Sequence, residues 1–159
     1  MKSLKNIIKA VLFALPLLFI GCKNNSDVST SKRTDSPKII LEKTRCYRKC
    51  PIYTAKFFIS DVIKVYPKAN FTVSEKSEGK MKKGRLSELL KVAKNIKFWQ
   101  LDEVYDNKNL QDAPTTYITV IHKAKSKKIK VRANAPKELK NFIQLVEKEV
   151  KIMKWTTID

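Results

Sequence analysis

The chain has 159 residues, of which 43% are hydrophobic and 31% are charged, with only three glycines and six prolines. This composition is typical of one folded domain and excludes a disordered protein. The formal net charge is +19, and only five of the basic residues are arginine. Because arginine is the residue that reads phosphates and bases in a bidentate manner, the lysine excess disfavours nucleic-acid binding. We interpret it as a solvated surface, with attraction to anionic lipid or glycan as the functional alternative.

The first 21 residues have the pattern of a signal peptide. Three lysines precede an apolar run from Ala10 to Ile20, which is shorter than the roughly 20 residues of a membrane-spanning helix. The run ends in Phe19-Ile20-Gly21-Cys22, which resembles the lipobox of bacterial lipoproteins. That resemblance implies cleavage before Cys22 and its acylation, with palmitate as a typical acyl group. An uncleaved anchor helix, or a free Cys22 after ordinary cleavage, is the alternative.

Residues 22–37 are dominated by Asn, Ser, Asp, Thr and Lys, a composition that cannot supply a hydrophobic core. We predict a disordered tether here, followed by a single α+β domain over residues 38–159. The expected location is the bacterial cell envelope, on the periplasmic or outer-membrane face, with the membrane as a partner through the N-terminal lipid.

Cys46 and Cys50 are separated by three residues, and Pro51 follows them at the entrance to a strand. An exported chain is in an oxidising compartment, so we predict a disulfide, worth about 2 kcal/mol for so short a ring. A redox role is the alternative, but redox-active cysteine pairs typically have the spacing C-x-x-C and lie at a helix N-terminus. A zinc site needs further ligands, and His122 is distant in the sequence. We therefore predict no metal.

Alternating hydrophobic residues predict four strands in the first half of the domain and a hairpin in the second. The four strands are expected at residues 39–45, 52–59, 62–66 and 71–75, and the hairpin at 116–122 and 127–132. Residues 76–84 have the composition of a charged loop.

Two amphipathic patterns predict helices. The first helix begins at Ser87 as N-cap and ends in Phe98, Trp99 and Leu101, which we assign to the core. The second begins at Pro136 and carries one apolar stripe as far as Met153. The predicted fold is thus α+β, an antiparallel sheet of about six strands in the order β-β-β-β-α-β-β-α, with both helices on one face.

Candidate catalytic side chains are few. His122 is suited to general-base chemistry, but no nucleophile or paired carboxylate stands at a recognisable spacing from it. Asp106 and Asp112 lie in an acidic stretch that suggests a calcium loop, although turn formation accounts for them equally well. We favour a non-enzymatic binding or interaction module without a cofactor. The alternative is an envelope enzyme, a hydrolase or thiol oxidoreductase, that uses His122 or the Asp106/Asp112 region.

A short motif carries a family resemblance. Cys46, Cys50, Pro51 and Tyr53 form a C-x-x-x-C-P-x-Y pattern, and with it the chain resembles a bacterial family of unknown function recurrent in small exported lipoproteins. The resemblance covers roughly residues 40 to 150. It includes the segments Phe98-Trp99, Tyr105-Asp106, Asp112, Pro114-Thr115 and Ala135 to Leu139. It supports the lipoprotein interpretation and implies no particular activity.

Overall fold

Eight strands, two α-helices and one 3₁₀ helix make up the part of the chain that the structure describes. The computed structural model describes residues 35–47, 49–107, 109–110 and 113–159, all within one compact unit, residues 33–159. The strands are β1 (Ile39–Lys43), β2 (Ile52–Phe57), β3 (Val62–Ala69), β4 (Ser77–Lys80), β5 (Val104–Tyr105), β6 (Thr116–His122), β7 (Lys125–Val131) and β8 (Thr156–Thr157). The helices are α1 (Arg85–Asn95), the 3₁₀ helix Phe98–Gln100 and α2 (Lys137–Ile152).

The strands form one mixed sheet in the order β5-β7-β6-β1-β2-β3-β4-β8. Every neighbouring pair is antiparallel except β5 and β7, which run parallel with Val104 opposite Lys130. The predicted antiparallel sheet of about six strands is therefore wrong in strand number and in direction. The two outer strands, β5 and β8, have two residues each, too few to produce a hydrophobic period that a sequence pattern reveals.

The fourth strand also differs from the prediction. Residues 71–75 form no strand, whereas β4 lies inside the segment 76–84 that we expected to be a loop. Ser77 is fully buried, and Gly79 packs so closely on Met153 and the Lys154 carbonyl that a Cβ has no room. Tertiary contacts thus form this strand, because its sequence Ser-Glu-Gly-Lys has low strand propensity.

The core lies between the sheet and both helices. Alternate residues of the central strands are fully buried on one sheet face, and they join one cluster with the apolar stripes of α1 and α2. The strand members are Ile39, Leu41, Tyr53, Ala55, Phe57, Ile63, Val65, Ile118, Val120 and Ile129, and the helical members include Leu86, Leu89, Ala93, Leu139, Phe142, Ile143, Val146 and Val150. The predicted hairpin and closing helix are confirmed, with the first hairpin strand at the predicted bounds.

Helix α1 begins at Arg85 rather than after the expected N-cap Ser87. Its first free N–H groups are bound by a residue from the β2–β3 turn. The Asp61 carboxylate accepts the Gly84 N–H at 2.6 Å and the Leu86 N–H at 2.9 Å. Asp61 has a left-handed backbone, φ 60°, and is 9% exposed. Because it supplies the acceptors that an N-cap side chain normally provides, it joins the start of α1 to the sheet.

The signal peptide predicted at residues 1–21, Cys22 and most of the predicted tether lie outside the described residues. Within the described ranges, no helix is both long enough and apolar enough to cross a membrane.

Candidate functional site

The residues of the C-x-x-x-C-P-x-Y pattern and those of the Asp106 region come together at one end of the sheet. The strand register explains this. Lys43, at the end of β1, lies opposite Tyr53 in β2 and Thr116 in β6. Thr116 lies opposite Val131 in β7, which pairs with Tyr105 in β5. We call this the motif end of the sheet.

Cys46 and Cys50 form a disulfide at the motif end, with their Cα atoms 5.9 Å apart. The predicted disulfide is therefore confirmed. It closes a loop that leaves Tyr47 85% exposed, and Pro51, also exposed, leads from it into β2. Because the bridge precedes a strand rather than a helix N-terminus, the local structure lacks the helix dipole that lowers thiol pKa values in C-x-x-C oxidoreductases.

Tyr53, the second residue of β2, is buried, and its ring packs against Phe71 with centroids 4.6 Å apart. Beside it, Lys43 Nζ donates a hydrogen bond of 2.5 Å to Glu147 Oε1 of α2. Burial, and secondarily the negative charge of Glu147, raise the pKa of the Tyr53 phenol far above its ordinary value. The phenol is therefore held neutral at physiological pH and acts as a packed anchor of the motif end.

Asp106 follows β5 and is paired with two cations. Lys130 Nζ donates to Asp106 Oδ2 at 2.7 Å, and Arg132 Nη1 lies 3.8 Å from Oδ1. The hydrogen bond from Lys130 is the main reason that the pKa of the Asp106 carboxyl lies below its ordinary value. A carboxylate stabilised in this way is a weak base, so it is poorly suited to proton abstraction at neutral pH.

Of the other candidate residues in this region, two form hydrogen bonds that involve a backbone N–H, one is exposed, and one is not among the described residues. The Tyr105 hydroxyl accepts the Asp102 N–H at 3.0 Å, and the Thr115 N–H donates to Thr44 Oγ1 at 3.0 Å. Pro114 is exposed beside Thr115. Asp112 is not among the described residues.

His122 lies at the opposite end of β6, exposed and opposite Lys125. The register places Asp106 near Thr116, and His122 lies six strand positions beyond Thr116, about 20 Å along β6. The structure therefore does not bring together His122 and Asp106, the two described side chains that the enzyme alternative names. Ser87 lines the same groove as His122, but within the described residues no hydrogen bond joins their side chains.

Metal ligands are likewise dispersed over the described ranges, where no group of three or more His, Cys, Asp or Glu residues is arranged to hold an ion. Asp106 instead forms ion pairs with Lys130 and Arg132.

The most distinctive charged surface is the sheet face opposite the helices. In each strand, the residues between the buried core positions point to this opposite face. Lysines outnumber glutamates there, with Lys56, Lys64, Lys80, Lys128 and Lys130 against Glu42 and Glu78. We call the group of Lys56, Lys64, Lys128 and Lys130, with Tyr66 and Tyr117, the lysine face. Among the described residues, neither helix covers it.

Two tyrosine rings are interleaved with these lysines. The Lys56 ammonium lies 4.7 Å from the centroid of the Tyr66 ring, and that of Lys128 lies 4.4 Å from the centroid of Tyr117. Cation–π contacts of this kind contribute about 0.5–1 kcal/mol at exposed sites. They hold the ammonium groups close to the sheet without neutralising their charge.

Lys56 and Lys64 lie directly opposite each other on β2 and β3. Like charges in opposed positions destabilise a sheet. Lys64 has only a 3.7 Å contact with Glu78, with both side chains more than a third exposed, and Lys56 has no carboxylate partner in the described part of the chain. The centre of this face therefore carries positive charge that the fold does not balance.

Sequence reasoning missed the lysine face, although a signal was present. Each of its lysines alternates with a buried residue of the same strand, as Lys56 does between Ala55 and Phe57. The prediction that both Phe98 and Trp99 lie in the core is only half correct. Phe98 is fully buried, but Trp99 is 40% exposed.

The chain belongs to the family described as Domain of unknown function (DUF6438), whose family model matches residues 37–150. The predicted resemblance to a family of unknown function is confirmed to this extent. Neither the curated proteins nor the solved structures contain a match to the chain.

Proposed function

We propose that the protein is an exported, lipid-anchored domain of the bacterial cell envelope, and that it binds anionic lipid or glycan surfaces through the lysine face without a catalytic role. The observation that carries the proposal is the pair of opposed lysines at the centre of an uncovered sheet face, where Lys56 has no carboxylate partner among the described residues and Lys64 has only an exposed contact with Glu78. A polyanionic surface is the complementary partner, because it removes the repulsion between the two ammonium groups.

The affinity expected from this face is modest. A lysine close to an anionic bilayer contributes about 1 kcal/mol, and Lys128 and Lys130 already pair with Glu42 and Asp106 at 2.7 Å. Lys56 and Lys64 are therefore the residues expected to contribute most to the free energy of binding. Acylation of Cys22 strengthens the case, because a tethered domain meets the surface at high effective concentration and needs little affinity of its own.

The disulfide supports the export part of the proposal. A bond between Cys46 and Cys50 persists in an oxidising compartment and is rare in a reducing cytosol. Acylation would engage the one other cysteine of the chain, Cys22.

Intact mass of the protein from native membranes tests the anchor. We expect a chain that begins at Cys22 and carries acyl mass, with Cys46 and Cys50 alkylated only after reduction. An unacylated chain that retains residues 1–21 would contradict the anchor.

Retention of the full chain, kept in a non-ionic detergent, on phosphatidylglycerol-doped and heparin surfaces tests the lysine face. The test variant is Lys56→Gln/Lys64→Gln, and the control is Lys140→Gln/Lys148→Gln, which removes equal charge from exposed positions of α2. We expect the test variant to elute at clearly lower salt than wild type and the control to elute close to wild type. The surface that shows the larger difference identifies lipid or glycan. Equal losses in both variants would indicate diffuse attraction and refute the assignment to this face.

A further inference from the structure

A groove lies on the helix side of the sheet, away from both the motif end and the lysine face. It has a volume of about 440 Å³, and its apolar wall is formed by Leu90 and Ala93 of α1, Val120 of β6 and Trp99. We call it the Trp99 groove. Its size is within the range of small-molecule sites in proteins.

Trp99 is held in place although its ring is not buried. The preceding Phe98 is fully buried, and the two rings meet edge to face with centroids 6.3 Å apart. The Lys127 ammonium donates to the carbonyl oxygens of Trp99, at 3.1 Å, and of Leu101. The 3₁₀ helix is thereby fixed to β7, so that a preorganised indole stands at the groove with 40% of its surface exposed.

The polar rim of the groove has one sign of charge. Lys91 and Lys94 of α1 and the imidazole of His122 line it, and among the described residues no carboxylate does. The two lysines are three residues apart on the helix and are therefore neighbours on its surface. Neither forms an ion pair within the described part of the chain. An apolar wall beside two unpaired ammonium groups is complementary to a molecule with an apolar body and an anionic head.

We propose that the Trp99 groove binds a single-chain anionic amphiphile of the fatty-acid class. Its hydrocarbon chain lies against Leu90, Val120 and the Trp99 indole, and its carboxylate is held by Lys91 and Lys94. This site is independent of the proposed function, because neither lysine belongs to the lysine face. The lysine-face variants and the groove variants consequently fail or succeed separately.

Isothermal titration calorimetry of the full chain with decanoate tests the proposal, with decyltrimethylammonium as the probe of reversed charge. We expect saturable binding of one decanoate per chain, accompanied by a change in tryptophan fluorescence that Trp99→Phe reduces. Trp99→Ala and Lys91→Gln/Lys94→Gln should each weaken binding about tenfold. The same-charge control Lys140→Gln/Lys148→Gln should remain within about twofold of wild type.

Four outcomes would overturn the proposal. The first is decyltrimethylammonium binding as tightly as decanoate, which would assign the groove to apolar contact alone. The second is an equal loss in both lysine pairs, which would assign decanoate binding to diffuse charge. The third is decanoate affinity unchanged by Trp99→Ala while the circular dichroism spectrum stays native. The fourth is self-association of the chain through the groove in place of ligand binding.

Discussion

Asp61 provides the sharpest test of how the sheet and α1 are joined. Replacement by alanine removes both acceptors of the Gly84 and Leu86 N–H groups. A hydrogen bond to a charged group contributes about 1.5–3 kcal/mol, and the left-handed backbone at φ 60° costs alanine about 1 kcal/mol more. The two bonds share one carboxylate and are not additive, so they count once as a single cap. We expect Asp61→Ala to lower the free energy of unfolding by about 2.5–4 kcal/mol, a large part of the about 5–15 kcal/mol available to a domain.

Two further substitutions separate the contributions at this position. Asp61→Asn keeps one acceptor oxygen and tolerates the left-handed backbone, so it should cost about 1–2 kcal/mol. Asp61→Gly removes the cap but adopts a positive φ freely, so it should be about 1 kcal/mol less damaging than alanine.

The assay is urea unfolding followed by circular dichroism, with the transition midpoint and slope compared between variants. Asp102→Asn is the matched control, since Asp102 is exposed and its carboxylate has no partner among the described residues; it should change stability by less than about 0.5 kcal/mol. If Asp61→Gly were as stable as wild type, the backbone turn rather than the cap would be the dominant contribution, and the reasoning would be wrong.

Three other stability changes follow from the packing. Because the pKa of Tyr53 is raised in the folded state, the phenol ionises at lower pH in the unfolded chain than in the folded one. The free energy of unfolding should therefore fall by about 1.4 kcal/mol per pH unit above pH 10. A pH series of unfolding midpoints should show a weaker decline in Tyr53→Phe. Gly79→Ala places a Cβ 2.8 Å from the Lys154 carbonyl oxygen, so thermal unfolding should reveal a loss of about 1–3 kcal/mol. Arg85→Met leaves the Glu149 carboxylate, which is 8% exposed, without its ion-pair partner at 2.8 Å. In a double-mutant cycle the free energy of unfolding should fall by about 3–5 kcal/mol for Arg85→Met alone and return close to the wild-type value when Glu149→Met is added.

The parts of the fold that the sequence predicts are those with a long, regular period. The hairpin β6–β7 and the helix α2 have seven to 16 residues per element, and their apolar residues recur at the strand or helix period. Strands β5 and β8 offer two residues each, and β4 is polar apart from Gly79. Their strand geometry comes from neighbours distant in the chain, which no local pattern reveals.

The cap of α1 shows the same limit at a single residue. The sequence places Ser87 as a plausible cap because it lies beside the apolar period of the helix. The acceptor actually used lies 23 residues before Gly84 and 25 before Leu86. Only the return of the chain from the β2–β3 turn to the start of α1 brings these groups within reach.

The lysine face and the Trp99 groove, like the Asp61 cap, were not predicted from a local sequence pattern, whereas the motif residues were. The cysteines, Tyr53 and Asp106 are conspicuous in the sequence, and the structure uses them in a disulfide, a buried ring and an ion pair. These contacts stabilise one end of the sheet and leave the motif side chains little free chemistry for a ligand. Free charge and an exposed aromatic ring instead occur at the lysine face and the Trp99 groove, where ordinary lysines and one tryptophan acquire their significance from position alone.

This division predicts where substitutions will have their effects. Changes at Cys46, Cys50 or Tyr53 should alter the free energy of unfolding, because each of these side chains is engaged in the covalent or packed structure of the motif end. Changes at Lys56 or Lys94 should alter binding with little effect on unfolding, because neither has an ion-pair partner in the described ranges. The motif is thus best understood as the framework that fixes the sheet, and the two uncovered surfaces as the parts of the domain available to partners.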